Sequence, residues 1–373
     1  MRPLHFALGA ALALLATRGD SAPPWKEAAD RIAFPLAQLS FPATAGSMAV
    51  TESGEASRKG EALDNVVQYA SKDKAVFGTI YIYYPGLPHA GLAAIATDWV
   101  IRQNAPNIRG GAIRSVAAGG TAGTALRFDY EGYRSGLITI AAFLKRDRWI
   151  IGVRVSGPPG RRAEVETAAA SLLDGLRLGG TQPPRTLQPL AIQSCPKGGD
   201  QRPAKLLPDN KAIMPAQGFV GTFDGAGMQA TDEPSNKIVY LPGRVPTEFC
   251  RASLSIKGGT LPLLRAVDGE PLFADGRTVR IVLLNDAGRM LEVDHSAKLG
   301  GYVLLFHDLG ATNILGTYDG IPSDAQLAAI LDGDDKEGGR FRVPVELSPL
   351  RGPSITLPSM DAKDVAPEKK PIP

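Results

Sequence analysis

Apolar and polar positions alternate with a period of two along most of this chain, and with a period near 3.6 in a few stretches. Strand-like segments come first, at 34–41, 65–70 and 75–84. In the last of them Phe77, Thr79, Tyr81 and Tyr83 share one face and Val76, Ile80, Ile82 and Tyr84 the other. Apolar groups on both faces predict a sheet covered on both sides. A helix is predicted over 89–104, with Leu92, Ile95, Ala96, Trp99 and Val100 on one stripe and Pro106 just beyond its end. Four strand-like segments then fill 113–156. Within them Leu126, Phe128 and Tyr130 alternate with Arg127, Asp129 and Glu131, and Lys145, Arg146, Asp147 and Arg148 form a polar reversal before the next strand. A second helix over 161–178 carries Val165, Ala168, Ala169, Leu172, Leu173 and Leu176 on one stripe and is stopped by Gly179 and Gly180. A shorter helix is predicted at 23–32, where paired prolines fit a first turn.

The order is strands, helix, a meander of strands, helix, which predicts an antiparallel sheet with helices packed on it. Over residues 33–178 this order resembles the PsbP-like and DcrB-like group of small α/β/α sandwich domains. The resemblance implies an exported or membrane-associated setting. The group includes adaptors and accessory subunits rather than one chemistry, so it brings no functional residue with it.

Glycine and proline content marks 181–189 as a linker. Beyond it, 190–348 is turn-rich, with strand candidates at 218–223, 237–241, 249–256, 278–284, 289–295 and 302–307 and a tight hairpin loop at 285–288. One late helix is announced by a capping box, Ser323 with Gln326 three residues on. The proline- and charge-containing tail 349–373 has too few apolar residues to offset the entropy of ordering and is expected to be disordered. The expected class is α+β: an N-terminal antiparallel sheet with packed helices over 23–180, then a smaller β-rich α+β domain with a barrel or sandwich core over 190–348.

Residues 1–22 read as a secretory signal peptide: Arg2, an uncharged apolar run over 6–16, then small residues with Ala16 and Ala22 as cleavage candidates. The run is too short to span a bilayer, which takes about 20 apolar residues. No cysteine stands at the cleavage point for lipid attachment, and no paired arginines for twin-arginine export. No later apolar run approaches spanning length, so no transmembrane segment is expected after cleavage. The expected location is periplasmic or secreted, in a Gram-negative cell.

Composition sharpens this. With 44% hydrophobic and 21% charged residues in 373, the chain can build two cores. Its 41 basic and 38 acidic residues nearly balance, which argues against nucleic acid as a partner. Cys195 and Cys250 are the two cysteines; in an exported protein such a pair is most simply a disulfide, closing a loop worth about 4 kcal/mol in the chain-entropy model. Two separate thiols or a redox pair are the alternatives, the latter without the usual close spacing.

Motifs for chemistry are sparse. There is no Gly-x-Ser-x-Gly elbow and no His-Glu-x-x-His. Ser71 with Lys74 and Ser194 with Lys197 match Ser-x-x-Lys without its partner motifs and read as turns, and Gly119, Gly120 and Gly123 read as a hairpin turn rather than a phosphate loop. His89 fits a helix-entry role. The acidic run Asp332, Asp334, Asp335 and Glu337 does not match a calcium loop. The strongest constellation is His295 and His307 with Asp308, on adjacent candidate strands, where two imidazoles and a carboxylate suit a metal or an activated water. Register decides it. If His295 shares a face with Val303 and Leu305, His307 joins it; if with Tyr302 and Leu304, Asp308 does. No cofactor and no metal is called for. The favoured function is a non-catalytic exported protein that binds a partner protein or envelope component. A hydrolase using His295, His307 and Asp308 is one alternative, and a small-ligand carrier lined by Tyr81, Tyr83, Tyr84 and Trp149 is the other.

Overall fold

The computed structural model describes residues 24–57, 60–134, 136–179, 185–196, 202–207, 245–267, 277–296, 300–333 and 343–355. The signal segment with Arg2, Ala16 and Ala22, part of the expected linker, the strand candidates 218–223 and 237–241, Lys197, Asp334, Asp335, Glu337 and the chain beyond 355 lie outside them.

The first strands are β1 (Lys26–Glu27), β2 (Arg31–Phe34), β3 (Leu39–Pro42), β4 (Thr44–Ala45), β5 (Met48–Glu55), β6 (Asp64–Ser71) and β7 (Phe77–Tyr83). Helix α1 (Ala90–Asn104) leads to β8 (Arg109–Gly110), β9 (Arg114–Ala118), β10 (Thr121–Tyr133), β11 (Leu137–Arg146) and β12 (Trp149–Gly157). Then come α2 (Arg162–Asp174), β13 (Arg177–Leu178) and β14 (Ala191–Ser194). The later strands are β15 (Glu248–Ile256), β16 (Gly259–Ala266), β17 (Arg277–Leu283), β18 (Met290–Ser296), β19 (Gly301–Asp308) and β20 (Ala311–Tyr318). After α3 (Asp324–Leu331), β21 (Val343–Ser348) and β22 (Gly352–Ile355) complete the order.

These strands form three sheets: a small one ordered β1-β2-β3-β13, a nine-stranded one ordered β4-β5-β6-β7-β12-β11-β10-β8 with β9 also on β10, and a second nine-stranded one running from β14 to β22 in chain order. The molecule is mostly β-sheet with few helices. The large sheets and helices stack as α2, first large sheet, α1, second large sheet, α3. Val165, Ala168, Ala169, Leu172 and Leu173 of α2 bury against Val153 and Val155 on one face of the first sheet. On its other face Ala90, Ala93, Ala94 and Ile101 of α1 meet Leu126, Phe128 and Tyr130. The opposite side of α1, Leu92, Ile95 and Ala96, packs on Phe249, Leu264, Ile281, Leu283 and Met290 of the second sheet. A helix between two sheets must be apolar all round, and the run Ala-Gly-Leu-Ala-Ala-Ile-Ala is. The single stripe expected from sequence is therefore one of two buried faces, and its later members Trp99 and Val100 are only half-buried.

Several elements differ from expectation. Of the helix expected over 23–32, residues 24–32 are described and are not helical: Ile32 and Phe34 alternate into the core while Arg31 reaches sideways, its Nε donating to Ser40 Oγ at 2.9 Å and its Nη2 to Gly175 O at 2.7 Å. The strand expected over 34–41 is broken by a 3-10 turn at Pro35–Ala37, after which Gln38 has φ 53°. Helix α2 ends at Asp174, leaving Arg177–Leu178 to pair with β3. Among the described residues the second large sheet runs from β14 to β22 without pairing between its end strands, where a barrel or sandwich core was expected, and it takes its inner cover from α1. Gly352–Ile355, inside the stretch expected to be disordered, pairs with β21.

The capping box of α3 forms as read: Gln326 N donates to Ser323 Oγ at 3.2 Å and Ser323 N to Gln326 Oε1 at 3.0 Å. Cys195 and Cys250 are bridged, with Cα atoms 4.7 Å apart. The bridge ties the short β14 to β15, its parallel neighbour, beside the Gln193–Cys250 register pair.

Candidate functional site

Two places concentrate polar or exposed side chains in ways that packing alone does not require: the seam between the two large sheets, and the half of the first sheet that α1 leaves open. The seam is built where β7 ends. Pro85 bridges to Leu309, Gly86 N donates to Asp308 O at 2.8 Å, and Gly310 N donates to Tyr84 O at 2.8 Å. His89 then caps α1, its Nδ1 accepting from Leu92 N at 3.2 Å, which is the entry role its place before the helix suggested. Burial, helped by Lys145 and opposed by the Glu292 carboxylate, pulls the His89 pKa down to about 4, so the imidazole is neutral and free to accept that bond.

Beneath this turn lies a buried relay. His307 Nδ1 is 2.9 Å from Thr312 Oγ1, His307 Nε2 is 2.7 Å from Glu292 Oε2, and Thr278 Oγ1 donates to the other Glu292 oxygen. A carboxylate oxygen accepts, so the network places an imidazole proton on Nε2, while the Thr312 hydroxyl can serve Nδ1 as donor or acceptor. Register explains the alignment. Met290, His307 and Thr312 are successive cross-strand partners on the inner face, with Glu292 two residues along the same face of β18. Hydroxyl, imidazole and carboxylate in a row are the parts of an acyl-transfer relay. Here Thr312 and His307 are 0% and 1% exposed, and a Cβ on Gly86 would lie 2.6 Å from Thr312 Oγ1. No substrate atom reaches that hydroxyl, and the relay holds β17 to β20 in place behind the Gly86 backbone.

This register also separates the sequence-predicted set. His295 pairs with Tyr302 across the strands, rings 5.1 Å apart, on the face opposite His307. Asp308 is turned to Arg289, whose Nη2 donates to it at 2.6 Å. His295, His307 and Asp308 therefore do not converge, and among the described residues no group of three or more His, Cys, Asp or Glu is placed to hold a metal. Glu292, the acid that His307 does use, was not singled out from sequence; the available signal was the alternation of Glu292 and Asp294 with apolar Leu291 and Val293 on β18. Ser71 of the Ser-x-x-Lys pair is occupied in a turn, donating to Asp73 Oδ1 at 2.6 Å and accepting from Val76 N at 3.1 Å.

At the upper end of the seam Asp64 lies opposite Tyr83 on β6 and β7, under the β17–β18 hairpin. A Cβ on Gly288 of that hairpin would be 2.8 Å from Pro85 Cβ and 3.3 Å from the Tyr83 ring. Burial, then the charges of Glu55 and Asp286, push the Asp64 carboxyl up to about 6. The buried Tyr83 hydroxyl has no hydrogen-bond partner among the described residues.

The second place is the inner face of β5, β6, β7 and β12. Helix α1 packs over β10, β11 and β12, so of these four strands it leaves β5, β6 and β7 largely uncovered. Cross-strand register puts Glu52, Gln68, Thr79 and Arg154 in one row, with Val66 and Tyr81 in the row above and Ala70 and Phe77 below. Phe77 is 42% exposed. Arg154 Nη2 donates to Tyr81 Oη at 2.8 Å and its guanidinium lies 5.5 Å from the ring centre. The aromatic set expected for a ligand carrier divides between the two faces: Tyr81 and Tyr83 look inward, whereas Tyr84 stacks edge-on with Trp149, centroids 4.8 Å apart, on the α2 side. Those four rings line no common cleft.

No helix among the described residues is long and apolar enough to cross a membrane. No protein-family model matches the chain, and no curated protein matches it. Among solved structures, the solution structure of cyanobacterial PsbP (CyanoP) from Synechocystis sp. PCC 6803 is similar at 9% identity and a TM-score of 0.30, spanning 44% of this chain and 99% of that one. A crystal structure from Bacteroides thetaiotaomicron VPI-5482 is similar at 12% identity and a TM-score of 0.24, spanning 66% of this chain and 86% of its own. The chain's relation to the PsbP-like group is a weak structural resemblance.

Proposed function

We propose that this chain is an exported, non-catalytic protein, periplasmic or secreted, that binds a partner protein or a cell-envelope component through the open half of its first sheet. The observation that carries the reading is the composition of that face: exposed Phe77 and the Tyr81–Arg154 pair on a rigid sheet, residue types that dominate binding energy at protein interfaces. Export is supported by the charged-then-apolar start of the chain and by the Cys195–Cys250 bridge, since disulfides persist in oxidising compartments. A non-catalytic role is supported by how the reactive groups are used. His89 caps a helix, His307 is held between Thr312 and Glu292, and both cysteines are bridged.

The test is a photocrosslinking amino acid at position 77, compared with the same probe at Glu166 on the exposed side of α2. Envelope fractions of the native host should yield a defined adduct from position 77 and none from 166. Equal or absent labelling at both positions defeats the binding reading. Recovery of the chain with Met1 intact in the cytosolic fraction defeats export.

A further inference from the structure

We infer that the Cys195–Cys250 bridge is a site of thiol exchange, in which a small anionic thiol attacks the Cys195 sulfur and Cys250 departs as a thiolate beside Arg265. The inference is independent of the open face of the first sheet. It concerns one bond exchanged in each molecule, without turnover.

The bridge sits at the margin of the second large sheet. Strand β14 is the first in its order, and among the described residues no strand pairs with its outer side. Both cysteines are half-buried. Cys250 lies directly across from Arg265 of β16, and Arg265 directly across from Arg280 of β17. Directly opposed residues share a face of the sheet, with Cβ atoms about 5 Å apart. One bridge sulfur and two guanidiniums therefore occupy one row. Asp324 of α3 accepts from Arg265 Nη2 and from Arg280 Nη1, the latter at 3.1 Å. One carboxylate against two guanidiniums leaves one positive charge in excess. Arg265 Nε is buried and has no hydrogen-bond partner among the described residues. A thiolate on Cys250 answers both, as the missing negative charge and as an acceptor.

The two sulfurs are thus unequal. During exchange the incoming, attacked and departing sulfurs stand nearly in line, so attack on Cys195 comes from beyond the sheet margin, whereas attack on Cys250 would come from the side of β16. A sulfur whose thiolate is better stabilised departs faster, and a neighbouring arginine stabilises a thiolate. Access and charge select the same direction. The incoming thiolate bonds to Cys195 Sγ as the Cys195–Cys250 bond breaks, and the electron pair leaves on Cys250 Sγ. One disulfide and one thiolate are consumed and one of each is formed. The same excess charge favours an anionic thiol over a cationic one.

The folded full chain incubated with reduced glutathione at one mildly alkaline pH, quenched with acid and mapped by peptide mass spectrometry, tests this. Glutathione should be found on Cys195 with Cys250 free. Arg265→Ala should slow exchange roughly tenfold, and Arg265→Lys should restore most of the rate. Asp324→Asn breaks the same ion pair but keeps both guanidiniums, so it should quicken exchange. If Arg265 only held α3 in place, both variants would loosen the region and quicken exchange together. Cysteamine, a cationic thiol, should react more slowly than glutathione when each is scaled to its rate with a small reference disulfide. An adduct on Cys250 or divided evenly, no adduct at all, Arg265→Ala exchanging as fast as the wild type, Asp324→Asn slowing it, or equal scaled rates for the two thiols overturns the inference.

Discussion

Asp64 and His89 are both half-buried near the seam, and they respond to acid in opposite directions. Burial and the nearby carboxylates of Glu55 and Asp286 raise Asp64 to about 6, so between its unfolded value of about 3.9 and that point the folded chain holds a proton the unfolded chain has released. The stability this proton lends is fully present below about pH 4 and is lost as pH rises through about 6. His89, held down to about 4 chiefly by burial, favours its neutral form in the fold; its contribution is full above about pH 6.5 and is lost as pH falls toward 4. Asp64→Asn keeps the neutral form throughout, and should stabilise by about 1 to 2 kcal/mol near pH 7.5 while changing little near pH 4. Urea unfolding at the two pH values measures it, and an equal gain at both contradicts the assignment. The variant should then show the acid-side decline that His89 imposes. His89's entry role was legible from Pro88 before it and the helical stripe after it. The use of His307 was not, because one residue of register exchanges the faces of a strand and nothing local fixes that register.

At the scale of elements, legibility follows how much of an element's stability is written in its own residues. The capping box of α3 is local chemistry between Ser323 and Gln326, and it forms where expected. Strand β14 is four residues long and mostly exposed, and β22 is also four; neither pattern announces a strand. Each exists because a longer neighbour offers a free edge, and β14 is fastened to its neighbour by the Cys195–Cys250 bridge. The bridge closes a sequence separation of 55 residues, for which the chain-entropy model gives about 4 kcal/mol. Replacing both cysteines by serine should lower the unfolding free energy by about that amount, less where the unfolded chain keeps structure. Hydrogen exchange should show the amides of β14 losing protection ahead of those of β18 and β19. Retained protection at β14 would place its stability in Leu190 and Ile192, which pack beside α1, rather than in the bridge.

The whole molecule is organised by one shared helix. Because α1 supplies a buried face to each large sheet, and Gly86 lies against Ala311 and Thr312, the two sheets are expected to unfold together, with coincident midpoints by tryptophan fluorescence and far-UV circular dichroism. All three tryptophans, Trp25, Trp99 and Trp149, lie in the first half of the chain, so fluorescence alone follows that half. Gly86→Ala puts a Cβ 2.4 Å from Ala311 O and should destabilise by about 1 to 3 kcal/mol, moving both signals together; separation of the midpoints would show the halves to be independent. By itself the sequence determined the alternating strands, the placement of α1, α2 and α3 and the capping box, all of which depend on spacing along the chain; it offered the Cys195–Cys250 bridge as the simplest of several readings, and the structure closed it. Tertiary structure alone decided that α1 serves two sheets, that His307 answers to Glu292 rather than His295, and that α1 covers only part of the first sheet. Those outcomes depend on which strand lies beside which and in what register, and contacts between residues far apart in the chain are what set both.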